Sequence, residues 1–176
     1  MIVEICEKSI NDINKPNESF TIFGKIVPEY KENSWTFSEV LLDHPYDYEY
    51  SNGEEDYSLY INNNDKNIYL YYDNNNCIGQ IILLENWNKY TKIHDICVAK
   101  DFRNKGIGHI LMNQAIKWTK DKKLKGLMLE TQDVNLAACR FNKKFGFILG
   151  GVDTMLYSNF DISDQKALFW YYRIEE

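Results

Sequence analysis

Between an apolar run ending at Val98 and an amphipathic run beginning at Ile107, the chain reads Arg103-Asn104-Lys105-Gly106-Ile107-Gly108. A helix N-terminus leaves backbone N–H groups unpaired, and its dipole favours negative charge. Gly106 and Gly108 remove side chains that would hold a phosphate away from those groups. Arg103 and Lys105 add positive charge beside them. The stretch therefore suits a phosphate or pyrophosphate at a helix start, although a plain strand-to-helix turn would use the same residues. G-x-x-x-x-G-K-[ST] occurs nowhere, which excludes a nucleotide P-loop. Leu111 stands where the third glycine of G-x-G-x-x-G would be, which argues against a dinucleotide fingerprint. What remains is R-x-x-G-x-G between a strand and a helix, a pattern that suits the pyrophosphate of coenzyme A.

Acid–base chemistry has a candidate four residues before Val98. His94 has an ordinary pKa of about 6.5, which suits a proton acceptor near neutrality. A histidine merely packed in a sheet would look the same. Asp95 follows it and, by the alternation of strand side chains, is expected on the opposite face. The four cysteines and three histidines show no metal-ligand spacing, so free buried thiols and no metal are expected.

These groups must be positioned by the elements around them. Residues 20–27 read as a strand, and 28–66 as irregular with a further strand at 35–42. Two β-rich runs, 67–73 and 77–85, flank an asparagine turn and predict a hairpin, with a third run at 91–100 completing a meander. After the glycine loop, Ile107, Ile110, Leu111, Ala115 and Trp118 mark one face of a helix ending near Lys122. A short buried strand at 126–131, a helix over 136–145 capped by Gly146, and strands at 147–157 and 167–174 follow. The order predicts a mixed α/β (α+β) fold in a single domain, 1–176.

The chain has 176 residues, 44% of them hydrophobic, and a net charge of −6, which argues against nucleic acid as a partner. No apolar run is long enough to cross a bilayer, and the first residues are too polar and acidic for a secretory signal; a cytoplasmic protein away from membranes is expected. Charge is unevenly divided. Residues 1–88 carry 5 basic and 16 acidic groups, whereas 89–176 carry 15 and 10. Within 43–57 lie six acids and four tyrosines with no Lys or Arg, either a solvated loop or a surface for a cation.

From Lys92 through Trp118, and again from Leu127 through Gly151, the order and spacing resemble the GNAT superfamily of N-acetyltransferases. The likeness covers roughly residues 67–174, with Asn135, Ala138 and Gly146-Phe147 forming its second signature. Within that superfamily, the segments at 45–50, 129–132, 147–153 and 167–173 resemble streptothricin (nourseothricin) acetyltransferases. The resemblance implies a mostly antiparallel central sheet flanked by helices, with strands splayed at an acetyl-CoA site. It places the cosubstrate against Cys97, Val98, Arg103, Asn104, Lys105, Gly106, Ile107, Gly108, Asn135, Ala138, Phe141 and Asn142, and the acceptor on the part before residue 67.

The reaction so implied is acetyl transfer to a primary amine of a cationic small molecule such as the β-lysine amine of streptothricin, conferring antibiotic resistance. An alkylamine is overwhelmingly protonated at neutral pH, so a base is required. His94 is the first candidate and Glu130, which matches a catalytic glutamate of some relatives, the second. The family's usual acid, a tyrosine seven residues after Asn135, is replaced by Asn142, leaving Tyr157 or solvent to protonate the thiolate. Tyr46, Asp47, Tyr48 and Glu49 are expected to bind the acceptor through charge and cation–π contact. Alternatives are a polyamine, an aminoglycoside or a protein amine, or a non-catalytic acetyl-CoA sensor. A homodimer joined through the aromatic C-terminal strand is a further expectation.

Overall fold

The computed structural model describes residues 1–50 and 55–174. In chain order the strands are β1 (Ile2–Glu4), β2 (Phe20–Lys31), β3 (Ser34–Tyr48), β4 (Lys66–Asp73), β5 (Asn76–Glu85), β6 (Thr91–Val98), β7 (Gly126–Gln132), β8 (Ile148–Asp153) and β9 (Ala167–Arg173). The helices are α1 (Ile107–Asp121) and α2 (Leu136–Phe145). The fold is mixed α/β, with mostly antiparallel strands and two helices, as expected. Two compact units are distinguished: Met1–Phe20 and Glu49–Leu127 with Ile174 in the first, Thr21–Tyr48 and Met128–Arg173 in the second.

In the first unit the strand order is β1-β4-β5-β6, each pair antiparallel. Asn74 and Asn75 turn β4 into β5 with φ of 46° and 67°, values that asparagine tolerates and a two-residue hairpin turn requires. One face of these strands receives α1. A Cβ on Gly79 would lie 3.1 Å from Ile107 and 3.2 Å from Leu111, so the bare glycine lets the helix approach β5. Leu111, Met112 and Ala115 are fully enclosed, and the Thr91 and Thr119 hydroxyls meet at 2.7 Å. Ile110, expected on this face, is 41% exposed. The buried stripe centres on Leu111 and Ala115, which carries Ile110 past its edge and brings Met112 in.

The opposite face carries Ile68, Leu70 and Ile82 packed with Ile5, Ile13 and Tyr60. Here the ladder between β5 and β6 slips. Ile82 pairs with Asp95 but Leu83 pairs with Ile93, so His94 is an extra residue in β6. Such a bulge breaks the two-residue alternation of side chains. Paired residues across a ladder share a face, so Asp95 lies on the side of Ile82, and Cys97 on that of Gln80. The expectation that His94 and Asp95 occupy opposite faces assumed an unbroken strand; the bulge removes that assumption.

In the second unit, β2 and β3 form a two-stranded sheet, turned at Glu32 and Asn33 with φ of 49° and 61°. Both strands outrun the sequence reading. β3 takes in the first part of the acidic, tyrosine-rich stretch, since pairing with β2 satisfies its backbone and tyrosine favours extended structure. Gly24 of β2 bridges Asn135, and a Cβ there would meet Leu136 and the Val40 carbonyl, each at 2.7 Å. The helix α2 begins at Asn135, whose side-chain oxygen accepts the Ala138 N–H at 3.1 Å, and ends at Gly146 with φ of 111°. β9 lies between β7 and β8 in the strand order. Both of its edges are therefore used, and it offers no edge to a second chain's sheet.

Replacing Gly79 by valine is expected to cost about 1–3 kcal/mol by overpacking against Ile107 and Leu111. Thermal melting should show it as a fall of about 2–4 °C per kcal/mol; an unchanged midpoint would contradict the close approach of α1 to β5.

Candidate functional site

The glycine loop behaves as an anion cradle in one respect and departs from expectation in another. Gly106 adopts φ of 86° as the N-cap of α1, no side chain caps the helix, and a Cβ at Gly106 would meet nothing within 4 Å. The helix start is thus open, as a phosphate ligand requires. Asn104 is also left-handed, with φ of 60°, and Lys105 is exposed with its ammonium 5.1 Å from the Phe102 ring centroid. Ile107 is buried and anchors the helix end that Gly108 begins to expose. Arg103, however, spends three of its donors on backbone. Its Nε donates to the Val98 carbonyl at 2.8 Å, Nη1 to Ser19 at 2.9 Å and Nη2 to Glu18 at 3.1 Å. The Glu18 carboxylate in turn accepts the Lys100 N–H. Arg103 therefore builds the loop, fixing where β6 stops.

At the bulge a polar cluster gathers within the first unit. His94 is 47% exposed at its side chain, with Nε2 3.9 Å from the Glu55 carboxylate. Glu55 also accepts the Tyr60 hydroxyl at 2.5 Å. Asp95 is partly buried, and its Oδ2 accepts Gln80 Nε2 at 2.6 Å. Gln80 is fully enclosed and fixed twice by Asn14: it accepts the Asn14 backbone N–H at 2.7 Å and donates to the Asn14 side-chain oxygen at 3.0 Å. Asn14 in turn donates to the Tyr57 hydroxyl at 3.0 Å. Burial pushes the Asp95 carboxyl above its ordinary value, opposed by hydrogen bonds from Gln80 and Cys97 and by the His94 charge. Burial, with the Asp95 charge next, raises the Cys97 thiol well above its ordinary value.

The second unit brings two of the other expected residues together. Tyr157, in the segment after β8, donates its hydroxyl to the carboxylate of Glu130 on β7, both partly buried. Asn135 and Ala138 turn out to be joined by the helix cap itself, which explains their spacing without a ligand. Phe141 stacks along α2 with Phe145 at 6.2 Å. Asn142 is 2% exposed, and its Nδ2 finds no hydrogen-bond partner. On β3, Tyr46 is 48% exposed and Asp47 accepts the Thr21 hydroxyl at 2.7 Å; Tyr48 is partly buried. Glu49 follows and is exposed, while residues 51–54 of the acidic stretch lie outside the described residues.

The residues not foreseen are Glu55, Tyr57, Gln80 and Asn14, together with the placing of Asp95 beside them. Glu55 belongs to a stretch already marked by its charge. Nothing in the sequence marks the bulge, and Asn14 reaches Gln80 across 66 positions.

Among the described residues no cluster of three or more His, Cys, Asp or Glu could hold a metal, and no helix is long and apolar enough to cross a membrane.

The sequence model of the acetyltransferase (GNAT) family matches residues 29–147. The chain is 47% identical to streptothricin acetyltransferase A of Bacillus subtilis (strain 168) over 173 residues, 98% of this chain and 99% of that protein. A streptothricin acetyltransferase of Escherichia coli is 38% identical over 96 residues, 54% of this chain and 55% of that one. Among solved structures, a Bacillus anthracis str. Ames protein, provisionally assigned as a streptothricin acetyltransferase and crystallised with acetyl coenzyme A, superposes with a TM-score of 0.92. It is 33% identical, and the likeness covers 99% of each chain. Nourseothricin acetyltransferase, at 23% identity and a TM-score of 0.83 over 99% of this chain and 98% of that one, shares the fold.

The four thiols should differ sharply in reactivity. Hydrogen bonds from Ser9 and the nearby backbone hold exposed Cys6 below its ordinary value. Burial raises Cys77 to about 11 and Cys139 to about 12, and Cys97 moves the same way. Iodoacetamide at about pH 8 should alkylate Cys6 first, because the thiolate is the nucleophile. Peptide mapping checks the order; faster modification of Cys97 would contradict its burial.

Proposed function

The chain belongs to the acetyltransferase (GNAT) family, and from that premise we propose that it acetylates streptothricin at its β-lysine amine with acetyl-CoA, giving resistance. The near full-length match to the Bacillus subtilis enzyme carries this reading. The geometry supports it, since the open start of α1 suits the coenzyme's pyrophosphate and Gly106 leaves room for it. Residues 103–108 hold the coenzyme through backbone N–H groups and Lys105, with Arg103 shaping the loop. Cys97 and Val98 lend backbone groups to the thioester, and Asn135, Ala138, Phe141 and Asn142 line the coenzyme from α2. Bound acetyl-CoA supplies the acetyl group.

On the acceptor side, the amine must lose a proton before it can attack. His94 and Glu130 are the proton acceptors of this reading, and Tyr157 is the hydroxyl that serves the leaving thiolate. Tyr46, Asp47, Tyr48 and Glu49 offer carboxylates and aromatic faces to a polycation. The enzyme works in the cytoplasm on a small cationic amine, needs no metal, and engages neither nucleic acid nor membrane; its assembly as a homodimer remains part of the proposal.

Purified protein mixed with acetyl-CoA should release thiol rapidly with streptothricin and slowly with kanamycin or spermidine. Equal rates with all three would overturn the streptothricin assignment, and no release with any amine would favour a sensor. The double substitution H94Q/E130Q should lower turnover at least about tenfold while coenzyme binding persists. Neutralising Asp47 and Glu49 together, as D47N/E49Q, should raise the streptothricin KM at least about fivefold by removing two carboxylates from a cation site. An unchanged KM would remove both residues from the acceptor site.

A further inference from the structure

We propose that Asp95 is a catalytic residue of this enzyme, taking the proton of the acceptor ammonium and passing it toward His94, on the polar face that β6 shares with Gln80 beside the bulge. The proposal rests on the acetyltransferase reading above and deepens it.

The bulge comes first. Asp95 pairs with Ile82 and Cys97 with Gln80, in the same register that pairs Ile96 with Ile81 and Val98 with Gly79, so Asp95 faces away from α1. The extra residue, His94, lets Ile93 face α1 only two positions before Asp95, and the Gln80 amide holds one Asp95 carboxylate oxygen at 2.6 Å. Gln80 is enclosed and doubly bonded to Asn14, so the carboxylate is held by a rigid neighbour. Asp95 nevertheless keeps partial exposure, which a group that must meet a substrate needs.

The surrounding charges point the same way. From β6, His94 and Cys97 face Asp95; from β5, Gln80 does so, with Cys77 acting on Cys97. From the N-terminal segment comes Asn14, and through it Tyr57. Glu55 sits beside His94, and Arg103 acts on Cys97. Gln80, Asn14 and Cys97 carry no positive charge, so a carboxylate here is stabilised by neutral donors and gains from an arriving ammonium. The carboxyl's raised pKa makes it a stronger base than an exposed aspartate, closer to what deprotonating an amine requires.

The step balances. Asp95 takes one proton from the ammonium, and the neutral nitrogen attacks the thioester carbonyl carbon. The new C–N bond forms and the C–S bond breaks as the oxyanion collapses. The nitrogen's second proton goes to the coenzyme A thiolate, and Asp95 returns its proton to water. His94, exposed and adjacent, is the path out. The products are the acetamide, coenzyme A and one proton.

The test compares wild type, Asp95→Asn and His94→Gln by thiol release from acetyl-CoA with streptothricin across pH. Asp95→Asn should lower kcat by about 100-fold or more and remove the acid limb of the profile. It should leave the acetyl-CoA KM within about twofold. His94→Gln should cost about tenfold and keep the limb. Folding is checked by melting. A carboxyl with a raised folded pKa stabilises the protein below its unfolded value and loses that contribution as pH rises through the folded value. Asp95→Asn should therefore melt higher than wild type at neutral pH, with the difference vanishing in acid. Turnover by Asp95→Asn within about threefold of wild type overturns the proposal, as does a lower melting point with a proportional loss of activity, which marks a structural role. A wild type that acetylates nothing overturns the functional reading, and this inference with it; an active wild type beside an active Asp95→Asn overturns the inference alone.

Discussion

The guanidinium of Arg103, bonded to the carbonyls of Val98, Ser19 and Glu18, decides where β6 ends, and much of the first unit's chemistry follows from that end point. A strand that stops leaves carbonyls without ladder partners, and such groups are costly if left unpaired. A planar fork with several fixed donors satisfies the Val98 carbonyl and those of Glu18 and Ser19 before β2 at once, which an ammonium on a flexible stem does poorly. Because its three partners are neutral carbonyls, Arg103 keeps its positive charge and adds it to that of Lys105 and the helix dipole, while three of its donors are spent on backbone. The open N-terminus of α1 is then presented at a fixed distance along the chain from Val98, with Gly106 supplying the left-handed turn between them.

Against this frame the bulge acts as a second constraint. α1 demands an apolar face of β5 and β6, which Gly79, Ile81 and Leu83 and their partners Ile93 and Ile96 provide. Ile93 and Asp95 lie two positions apart, and in a regular strand both would share one face, so either the carboxylate would enter the hydrocarbon interface at a large desolvation cost or the isoleucine would leave it. One extra residue lets Ile93 keep the apolar face while Asp95 takes the other, where Gln80, itself bonded to Asn14, holds it. Structural necessity and a polar site are thus produced by the same irregularity, and this is why bulges so often adjoin functional groups.

What the sequence disclosed and what it hid divide along the range of the interactions. α1 and α2 were legible because their apolar spacing and the caps at Gly106, Asn135 and Gly146 are local. The asparagine turn at 74–75 was legible for the same reason. β3 was underread because its outer half, through Tyr48, is held by pairing with β2 and shows no apolar alternation of its own. The coenzyme loop could be located from its glycines, but the part played by Arg103 could not, since Glu18 and Ser19 lie 85 and 84 positions away. The bulge depends on register between two strands and leaves no trace in either one alone.

The pairing of Tyr157 with Glu130 bears on the missing tyrosine at position 142. A carboxylate that accepts a phenolic hydrogen bond stabilises the neutral phenol and weakens it as an acid. The Tyr157 hydrogen is engaged by Glu130, so either group can act on a proton only by giving up this bond. If Tyr157 gives up its proton, the phenolate forms beside a negative charge; if Glu130 takes one, the phenol loses its acceptor. Asn142 cannot fill the gap, since an amide does not donate its proton at neutral pH, although its unpartnered Nδ2 retains a hydrogen to offer. A thiol of ordinary pKa, about 8.5, leaves tolerably well as a thiolate. Acid catalysis is thus the part of the reaction this chain can most readily weaken. Deprotonating an amine with a pKa of about 10.4 is the part it cannot omit.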